Sequence, residues 1–360
     1  MRDRVRHGIH LGRTDEQGPA IEALTGRAGG AVGVEGVAAG LTRQARPSRL
    51  GRVLGRAVSE AYAWDDRDSR DPRWWPQGIS SSADASPTEL AAGRRLLVTT
   101  SYAKQVGGSS HGCRVTFVDL DTLRYEHVLV VRPGVDPDGS PTLEPVHLHA
   151  GGIVWHGPFL HLAATARGLV SCRVDDILPV SDPDTAERLG VDGDRVTAYG
   201  HRFVLPVRFT QPAGADRGHA RFRYSFLALD RSEPEPALVS GEYARQGPTR
   251  RLVRYELDPG TALPRLDEDG LARPVALAEG VARMQGAVVR RGQHLVSVST
   301  GPLLPGTVYA GTPGHLRARR LAVPMGPEDL CYWPSTDRVW SVTEHPRRRW
   351  FFSMRRSWFD

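Results

Sequence analysis

The 360-residue sequence predicts an all-β fold, specifically a five-bladed β-propeller with four-stranded antiparallel blades and an N-terminal extension. Runs of roughly five to seven aromatic and β-branched residues alternate with Gly, Pro, Asp and Arg clusters, a pattern typical of many short strands. One strand–turn–strand pattern also recurs along the chain at the spacing of repeat proteins built from four-stranded units. A propeller is the closed arrangement of such units, because the ring leaves few sheet edges exposed.

Residues 1–50 are rich in Gly, Ala and Arg, and whatever helical periodicity the sequence has lies near this end of the chain. We predict that they form a flexible or partly helical extension outside the ring. Residues 51–360 are predicted to form the propeller.

The repeated hairpin is clearest in MQGAVVRRGQHLVSVSTGP, which begins at Met284, and a second copy carries Gln77-Gly78 in the place of Gln285-Gly286. Further copies begin near residues 149, 223 and 327, and in the last of these Glu328-Asp329 replaces Gln-Gly. Third and fourth strands follow most copies, as in CRVTFVDLD and YEHVLVVRP.

The last unit lacks a fourth strand of its own, because only RWFFSMRRSWF remains after its hairpin. We predict that a strand near residues 56–64 supplies it and closes the ring. A two-domain array of β-sandwiches is the alternative architecture.

The composition of the chain limits the classes of partner and the cellular compartment that we expect. The net charge is +6, but the basic surplus lies at the two ends of the chain rather than along one folded region, so we expect no nucleic-acid partner. No apolar run is long enough to span a membrane. Cys113, Cys172 and Cys331 have no paired spacing and are expected to be core thiols. We expect a monomer that binds a small molecule or peptide. Because the signal-peptide pattern is weak, we expect it in the cytoplasm, with secretion as the alternative.

In a propeller the start of each first strand and the end of each second strand lie on the same face. The polar residues at these positions should therefore gather at one mouth of the central channel. From first strands they are Gln77, His149, Ser225, Gln285 and Glu328, and from second strands Ser101, Thr165, Glu242, Tyr243, Thr300 and Glu344.

The carboxylates Glu328, Glu344 and Glu242 are the candidate catalytic residues of this set. Apolar sheets around them would remove water and shift their pKa values, which suits general acid or base work. The other residues of the set are candidate ligand-binding groups. The alternative is that these side chains only line a polar channel and satisfy neighbouring backbone groups.

His147 and His149 point to the same side of a strand, a spacing that a metal site can use. With Glu328 or Glu344 they would hold a divalent ion, and carboxylates alone would favour calcium. The alternative is that both histidines form hydrogen bonds at the start of a strand. The acidic run DDRDSRD, from Asp65 to Asp71, is expected to be a solvated turn.

The hairpin MQGAVVRRGQHLVSVSTG resembles the short repeat of the five-bladed glutamine cyclotransferase propellers over about twenty residues. Val298 stands where that family usually has an acidic residue. The segments WWPQGISSSAD, HAGGIVW, PEDLCYW and VTEHP are more similar to uncharacterised actinobacterial propeller proteins, and this resemblance implies a fold and no activity.

These observations predict an enzyme of the hydrolase, lyase or cyclase type, with its active site at one mouth of the channel. The alternative function is a non-catalytic propeller that binds a ligand or serves as a scaffold. Exposure of Trp74, Trp75, Trp155 and Trp333 at the rim would favour binding of sugars or planar ligands.

Overall fold

The computed structural model describes residues 7–193, 195–243 and 249–360. No helix in these ranges is both long enough and apolar enough to cross a membrane. The chain begins with short elements: β1 (Ile9–Leu11), α1 (Gly18–Arg27), α2 (Gly33–Ala39), β2 (Arg43–Gln44), β3 (Arg46–Pro47), α3 (Arg49–Val53), β4 (Val58–Ala63) and α4 (Asp66–Arg70).

The N-terminal elements pack closely on the larger sheets. Leu11, Leu24 and Val37 are completely buried, each in a different apolar cluster shared with sheet residues. In α1 the proline lies in the first turn, where its missing N–H is not needed, and Leu24 lies on the buried face. This part of the chain is partly helical and contributes to the core.

A first antiparallel run follows, with strands paired in chain order. Its elements are β5 (Trp74–Ser81), α5 (Ser82–Ala85), β6 (Leu96–Ala103), β7 (Cys113–Asp119) and β8 (Arg124–Val135), with β9 (Pro141–Pro145) added beside β8. The next run pairs β10 (Ile153–His156), β11 (Phe159–Ala163), β12 (Gly168–Arg173) and β16 (Phe203–Ala215). Between β12 and β16 lie a 3-10 turn (Val174–Asp176), β13 (Leu178–Pro179), β14 (Leu189–Asp192) and β15 (Arg195–Ala198).

The second half of the chain repeats this arrangement. One run is β17 (Phe226–Asp230), β18 (Ala237–Gly241), β19 (Arg251–Glu256) and β20 (Ala276–Glu279), and another is β21 (Met284–Arg290), β22 (Gln293–Val298), β23 (Gly306–Gly311) and β24 (Arg317–Val323). The last run is β25 (Pro327–Trp333), β26 (Arg338–Thr343) and β27 (Trp350–Arg355), followed by a 3-10 turn (Arg356–Phe359).

Strand β4 completes the last run. It pairs antiparallel with β27, in a register that places Trp350 opposite Ala63 and Met354 opposite Val58. A segment near the start of the chain is thereby joined to the final strand, as the count of strands in the sequence requires.

The first strands of successive runs lie side by side around a common centre. β5 contacts β10, β10 contacts β17, β17 contacts β21, β21 contacts β25, and β25 returns to β5. The all-β, propeller-like architecture predicted from the sequence is confirmed.

Close approach of these strands explains the repeated glycines. A Cβ on Gly78 would lie 2.8 Å from the carbonyl carbon of Gly152, and one on Gly286 would lie 2.3 Å from the Cα of Asp329. In β25 the matching position holds Asp329, whose carboxylate accepts from the backbone N–H of Ile153 at 3.3 Å. The glycines therefore allow the first strands to pack together, and the Asp329 side chain forms a hydrogen bond from β25 to β10.

Candidate functional site

Four of the predicted site residues are brought together in two hydrogen-bonded pairs. The side-chain amide of Gln77 donates to Glu344 at 3.2 Å, and that of Gln285 donates to Glu328 at 3.2 Å. The two carboxyl groups also interact electrostatically. Four residues that are far apart in the sequence therefore share one polar site.

Local irregularities in the first strands hold these side chains in place. The pairing register shifts between Pro76 and Ile79 in β5, between Met284 and Gly286 in β21, and between Pro327 and Leu330 in β25. A bulge of this kind inserts an unpaired residue and redirects a side chain. Each of the three irregularities includes the Gln or Glu that belongs to the site.

Further polar and aromatic groups surround the two carboxyl groups. We call the whole set the mouth cluster and define it as Trp75, Gln77, Tyr102, Lys104, His149, Gln285, Glu328, Glu344 and His345. The ring of His149 lies 4.6 Å from that of Tyr102, and the ring of His345 lies 5.8 Å from that of Trp75.

The two carboxyl groups of the mouth cluster have different environments. Glu328 is only 2% exposed, and burial, reinforced by the negative charges of Glu344 and Asp329, raises its pKa well above the usual range. The side chain of Glu344 is 19% exposed and its Oε1 lies 3.7 Å from Nδ1 of His345. The site therefore joins a buried acid that favours its protonated form to a second carboxyl group that solvent reaches.

The phenol and imidazole groups next to the two carboxyl groups have shifted pKa values. Burial, with the charges of Glu344 and Glu328, raises the pKa of Tyr102 to about 12. Burial followed by repulsion from Lys104 lowers the pKa of both His149 and His345. Part of the His149 side chain is exposed to solvent, and neighbouring protein atoms bury the rest. Phenol and imidazole groups next to a carboxyl group with a raised pKa give the mouth cluster several hydrogen-bond donors and acceptors.

Glu242, a predicted catalytic residue, is paired with an arginine and lies outside the mouth cluster. It is 1% exposed, and its two carboxylate oxygens each accept a hydrogen bond of 2.7 Å from the guanidinium of Arg251. The backbone N–H of Arg223 adds a third at 3.0 Å. A carboxylate held in this way is a structural ion pair, and its predicted catalytic role has no support in the geometry.

The remaining predicted residues have local partners. Thr300 is exposed and its hydroxyl donates to the carbonyl of Leu304 or Pro305. The hydroxyl of Ser225 accepts from the backbone N–H of Tyr243 at 2.9 Å. Thr165 has a positive φ and forms an isolated bridge with Tyr224. The contacts of these residues are those of turns and strand ends.

Ser101, a predicted binding residue, lies on the other face of β6 from the mouth cluster. It lines a small interior space with Asp68 and Arg349, whereas the next residue, Tyr102, belongs to the mouth cluster. Side chains alternate between the faces of a strand, so an error of one residue reverses the face. The sequence prediction does not include Tyr102, Lys104 or His345, although each is a close neighbour of a predicted residue.

The two histidines proposed as metal ligands do not form a ligand set. Nδ1 of His147 lies 3.4 Å from the hydroxyl of Ser110, whereas His149 packs on Tyr102. In the described ranges, no group of three or more His, Cys, Asp or Glu residues is arranged to hold a metal ion. The divalent cation therefore stays a prediction without identified ligands.

A second polar group, which we call the interior cluster, consists of Asp68, Arg43, Arg114, Tyr125 and His127. Asp68 accepts from Tyr125 at 2.7 Å and His127 at 2.9 Å, and Arg43 and Arg114 lie 3.2 and 3.3 Å from its oxygens. Burial would raise the pKa of Asp68, but His127 and the two arginines outweigh it and hold that pKa well below its usual range. The acidic run is thus a short helix with a buried carboxylate, not the solvated turn that was expected.

No family model matches the chain, and no curated protein matches it. Among solved structures, the XC5397 gluconolactonase of Xanthomonas campestris is 13% identical over 87% of this chain and 85% of that chain, with a TM-score of 0.37. A GH43_1 enzyme from Xanthomonas citri is 11% identical over 78% and 87%, with a TM-score of 0.36. The Cps50 (Swd1) β-propeller domain from Myceliophteria thermophila is 11% identical over 71% and 92%, with a TM-score of 0.32. Likeness at this level carries no activity to the present chain.

Proposed function

We propose that the chain is an enzyme that acts on a small polar molecule or a peptide at the mouth cluster by general acid–base catalysis. Glu328 is the proton donor and Glu344 is the proton acceptor. Hydrolysis, elimination and cyclisation are the reaction types that such a pair serves. The observation that carries the proposal is a buried carboxyl group, with no cationic partner among the described residues, next to a second carboxyl group that solvent reaches.

Two carboxyl groups whose surroundings drive their pKa values apart can divide the roles of acid and base. Burial and the nearby negative charges keep the proton on Glu328. Glu344 is closer to solvent and to His345, and Gln77 holds one of its oxygens by a neutral hydrogen bond. Neither of these two contacts removes the ability of Glu344 to accept a proton.

The proposal includes a finer description of the fold. We infer that the successive antiparallel runs are five blades, that β4 closes the last of them, and that the mouth cluster lies at one end of the channel between the first strands. The mutual contacts of β5, β10, β17, β21 and β25 support this description. The solved structures are too distant to add support, so this description depends on the pairing of strands within runs and the contacts between runs.

Carboxyl titration tests the acid–base pair without knowledge of the substrate. In protein labelled with ¹³C at glutamate side chains, we expect one carboxyl resonance, assigned by its loss in Glu328→Gln, to titrate above the ordinary glutamate range. Replacement of Glu344 by Gln should lower that pKa, because a negative neighbour is removed. A Glu328 resonance that titrates in the ordinary range would contradict the proposal.

Turnover assays with ester, lactone, amide and glycoside substrates test the chemistry. For any substrate that is turned over, Glu328→Gln and Glu344→Gln should each reduce kcat by about 10²- to 10⁴-fold, the range expected for lost proton transfer. Glu144→Gln, at an exposed strand position, is the matched control. If the protein turns over a substrate equally well with both mouth carboxylates replaced, the assignment of these residues is wrong. A bound ligand with unchanged affinity in all variants would instead favour the non-catalytic alternative.

A further inference from the structure

Lys104 is the one lysine among the 47 lysine and arginine residues of the chain, and it belongs to the mouth cluster. It follows directly after β6, and its backbone N–H donates to the carbonyl of Arg73 at 2.8 Å. This bond fixes the chain next to the start of β5. The position of the amine is therefore set by strand pairing at the mouth.

The side-chain amine of Lys104 is accessible and has few competing partners. Its Nζ lies 3.1 Å from the centroid of the Trp75 ring, and no hydrogen bond or ion pair joins it to another of the described side chains. Its charge acts on Glu344, His149 and His345, which places it within electrostatic range of the candidate proton acceptor. Burial and the positive charge of Arg349 lower its pKa, although Glu344 opposes them.

Arginine would serve equally well as a positive charge at this site, and the chain uses arginine everywhere else. An arginine cannot act as an amine nucleophile, because its guanidinium stays protonated, whereas a lysine can lose its proton and attack a carbonyl carbon. The single lysine thus belongs to the same cluster as the candidate proton donor Glu328 and the candidate proton acceptor Glu344.

We infer that Lys104 forms an imine with a small aldehyde or ketone bound at the mouth cluster. This inference rests on the proposed acid–base function, because it uses Glu328 and Glu344 for the proton transfers. The free amine of Lys104 adds to the carbonyl carbon and gives a carbinolamine. Glu328 protonates the hydroxyl group, which leaves as water, and the nitrogen proton passes to Glu344 as the C=N bond forms. Hydrolysis by one water molecule reverses these steps and restores the amine.

Reductive trapping tests the inference directly, because one lysine gives one labelled side chain. The full chain is incubated with glycolaldehyde or pyruvate and cyanoborohydride at neutral pH, and the product is examined by intact mass and peptide mapping. We expect a secondary amine at Lys104, heavier by the carbonyl compound less one oxygen atom. Lys104→Arg keeps the positive charge and should lose this label.

A matched reference is a lysine placed on the surface. In Lys104→Arg combined with Arg124→Lys, the new lysine occupies an exposed position at the start of β8. Lys104 of the wild type should be trapped about 100-fold faster than this surface lysine, a factor typical of acid–base assistance. Equal rates at the two positions would overturn the inference.

The two proposals fail in different ways. If trapping at Lys104 is no faster than at the surface lysine while Glu328 keeps its raised pKa, only the imine is wrong. If Lys104 is trapped rapidly and Glu328→Gln and Glu344→Gln leave the rate unchanged, the amine is reactive but the acid–base assignment is wrong. Rapid trapping that either substitution slows supports both proposals.

Discussion

The interior cluster and the mouth cluster each bury a carboxyl group, and they treat it in opposite ways. Asp68 is 6% exposed and lies between Arg43 and Arg114, whereas Glu328 is 2% exposed and lies next to an amide and another carboxyl group. Neighbouring charges hold the pKa of Asp68 below its usual range, and burial raises that of Glu328 above it. Asp68 is therefore an ion-paired carboxylate, whereas Glu328 is a carboxyl group whose raised pKa suits proton exchange.

This contrast has a physical basis. Burial of a charge is costly unless the charge is paired and hydrogen-bonded, so a group kept only for stability should have its counter-ions nearby. Asp68 meets this condition, and so does Glu242 through Arg251. Within the described part of the chain Glu328 does not meet it, because Glu344 and Asp329 repel its negative charge. The contrast predicts how each group responds to substitution.

Asp68→Asn should have the largest effect. The substitution leaves Arg43 and Arg114 with a neutral neighbour in a buried site, and loss of one partner of a buried ion pair costs about 3–5 kcal/mol of unfolding free energy. Urea denaturation at neutral pH measures it. Asp66→Asn, at an exposed position of the same helix, should change stability by about 0.5 kcal/mol or less.

The pH dependence of this effect has a definite sign. Because the pKa of Asp68 is lower in the folded state, its contribution is present above the unfolded value of about 3.9 and is lost as pH falls through the folded value. The difference between wild type and Asp68→Asn should therefore shrink in acid. A loss of less than about 1 kcal/mol at neutral pH would show that the arginines do not depend on this carboxylate.

Glu242→Gln should have an intermediate effect. The carboxylate is almost completely buried, but the side chain of Arg251 is 30% exposed and regains hydration when the pair is broken. Hydrogen bonds to charged groups contribute about 1.5–3 kcal/mol, so we expect a loss near the lower end of that range. Thermal unfolding measures it, and Arg251→Gln should cost more than Glu242→Gln, because it leaves the buried carboxylate of Glu242 without this guanidinium. Glu242→Gln should still turn over substrate. A complete loss of activity in a folded variant would show that Glu242 is needed for catalysis.

Strand counting and repeated motifs predicted the larger features of the molecule. The pairing of β4 with β27 follows from the missing strand of the last unit, and the equivalent positions of Gln77, Gln285 and Glu328 follow from the repeated Gln-Gly and Glu-Asp pairs. Glu344 was found because the ends of second strands lie next to the starts of first strands. These features depend on regular pairing, which a sequence pattern records.

Contacts between distant segments were harder to predict. Arg251 is on the strand next to Glu242, and its direction toward that carboxylate depends on strand register. The interior cluster joins a short helix to strands far along the chain, and no local pattern indicates that Asp68 is buried. Tyr102 pairs with Trp75 and Ser101 with Pro76, so Tyr102 and not Ser101 lies on the face of β6 that belongs to the site.

Glu328→Gln should have the smallest effect on stability, and its sign sharpens the comparison. Gln keeps the shape of the side chain and its contact with Gln285, and it removes a group that is costly to ionise where it lies. We expect the unfolding free energy at neutral pH to change by about 1 kcal/mol or less, or to rise. Equilibrium urea denaturation across a pH series measures it.

The pH dependence of Glu328→Gln should be opposite to that of Asp68→Asn. Because the pKa of Glu328 is higher in the folded state, the wild type is favoured below the unfolded value of about 4.3 and loses stability as pH rises through the folded value. The variant has no such group, so its stability relative to wild type should increase with pH over this window. A variant that loses stability relative to wild type as pH rises would mean that ionised Glu328 has a favourable partner in the folded state. In that case the mouth carboxyl would be neutralised as Asp68 is, and the reason for treating it as a proton donor would be gone.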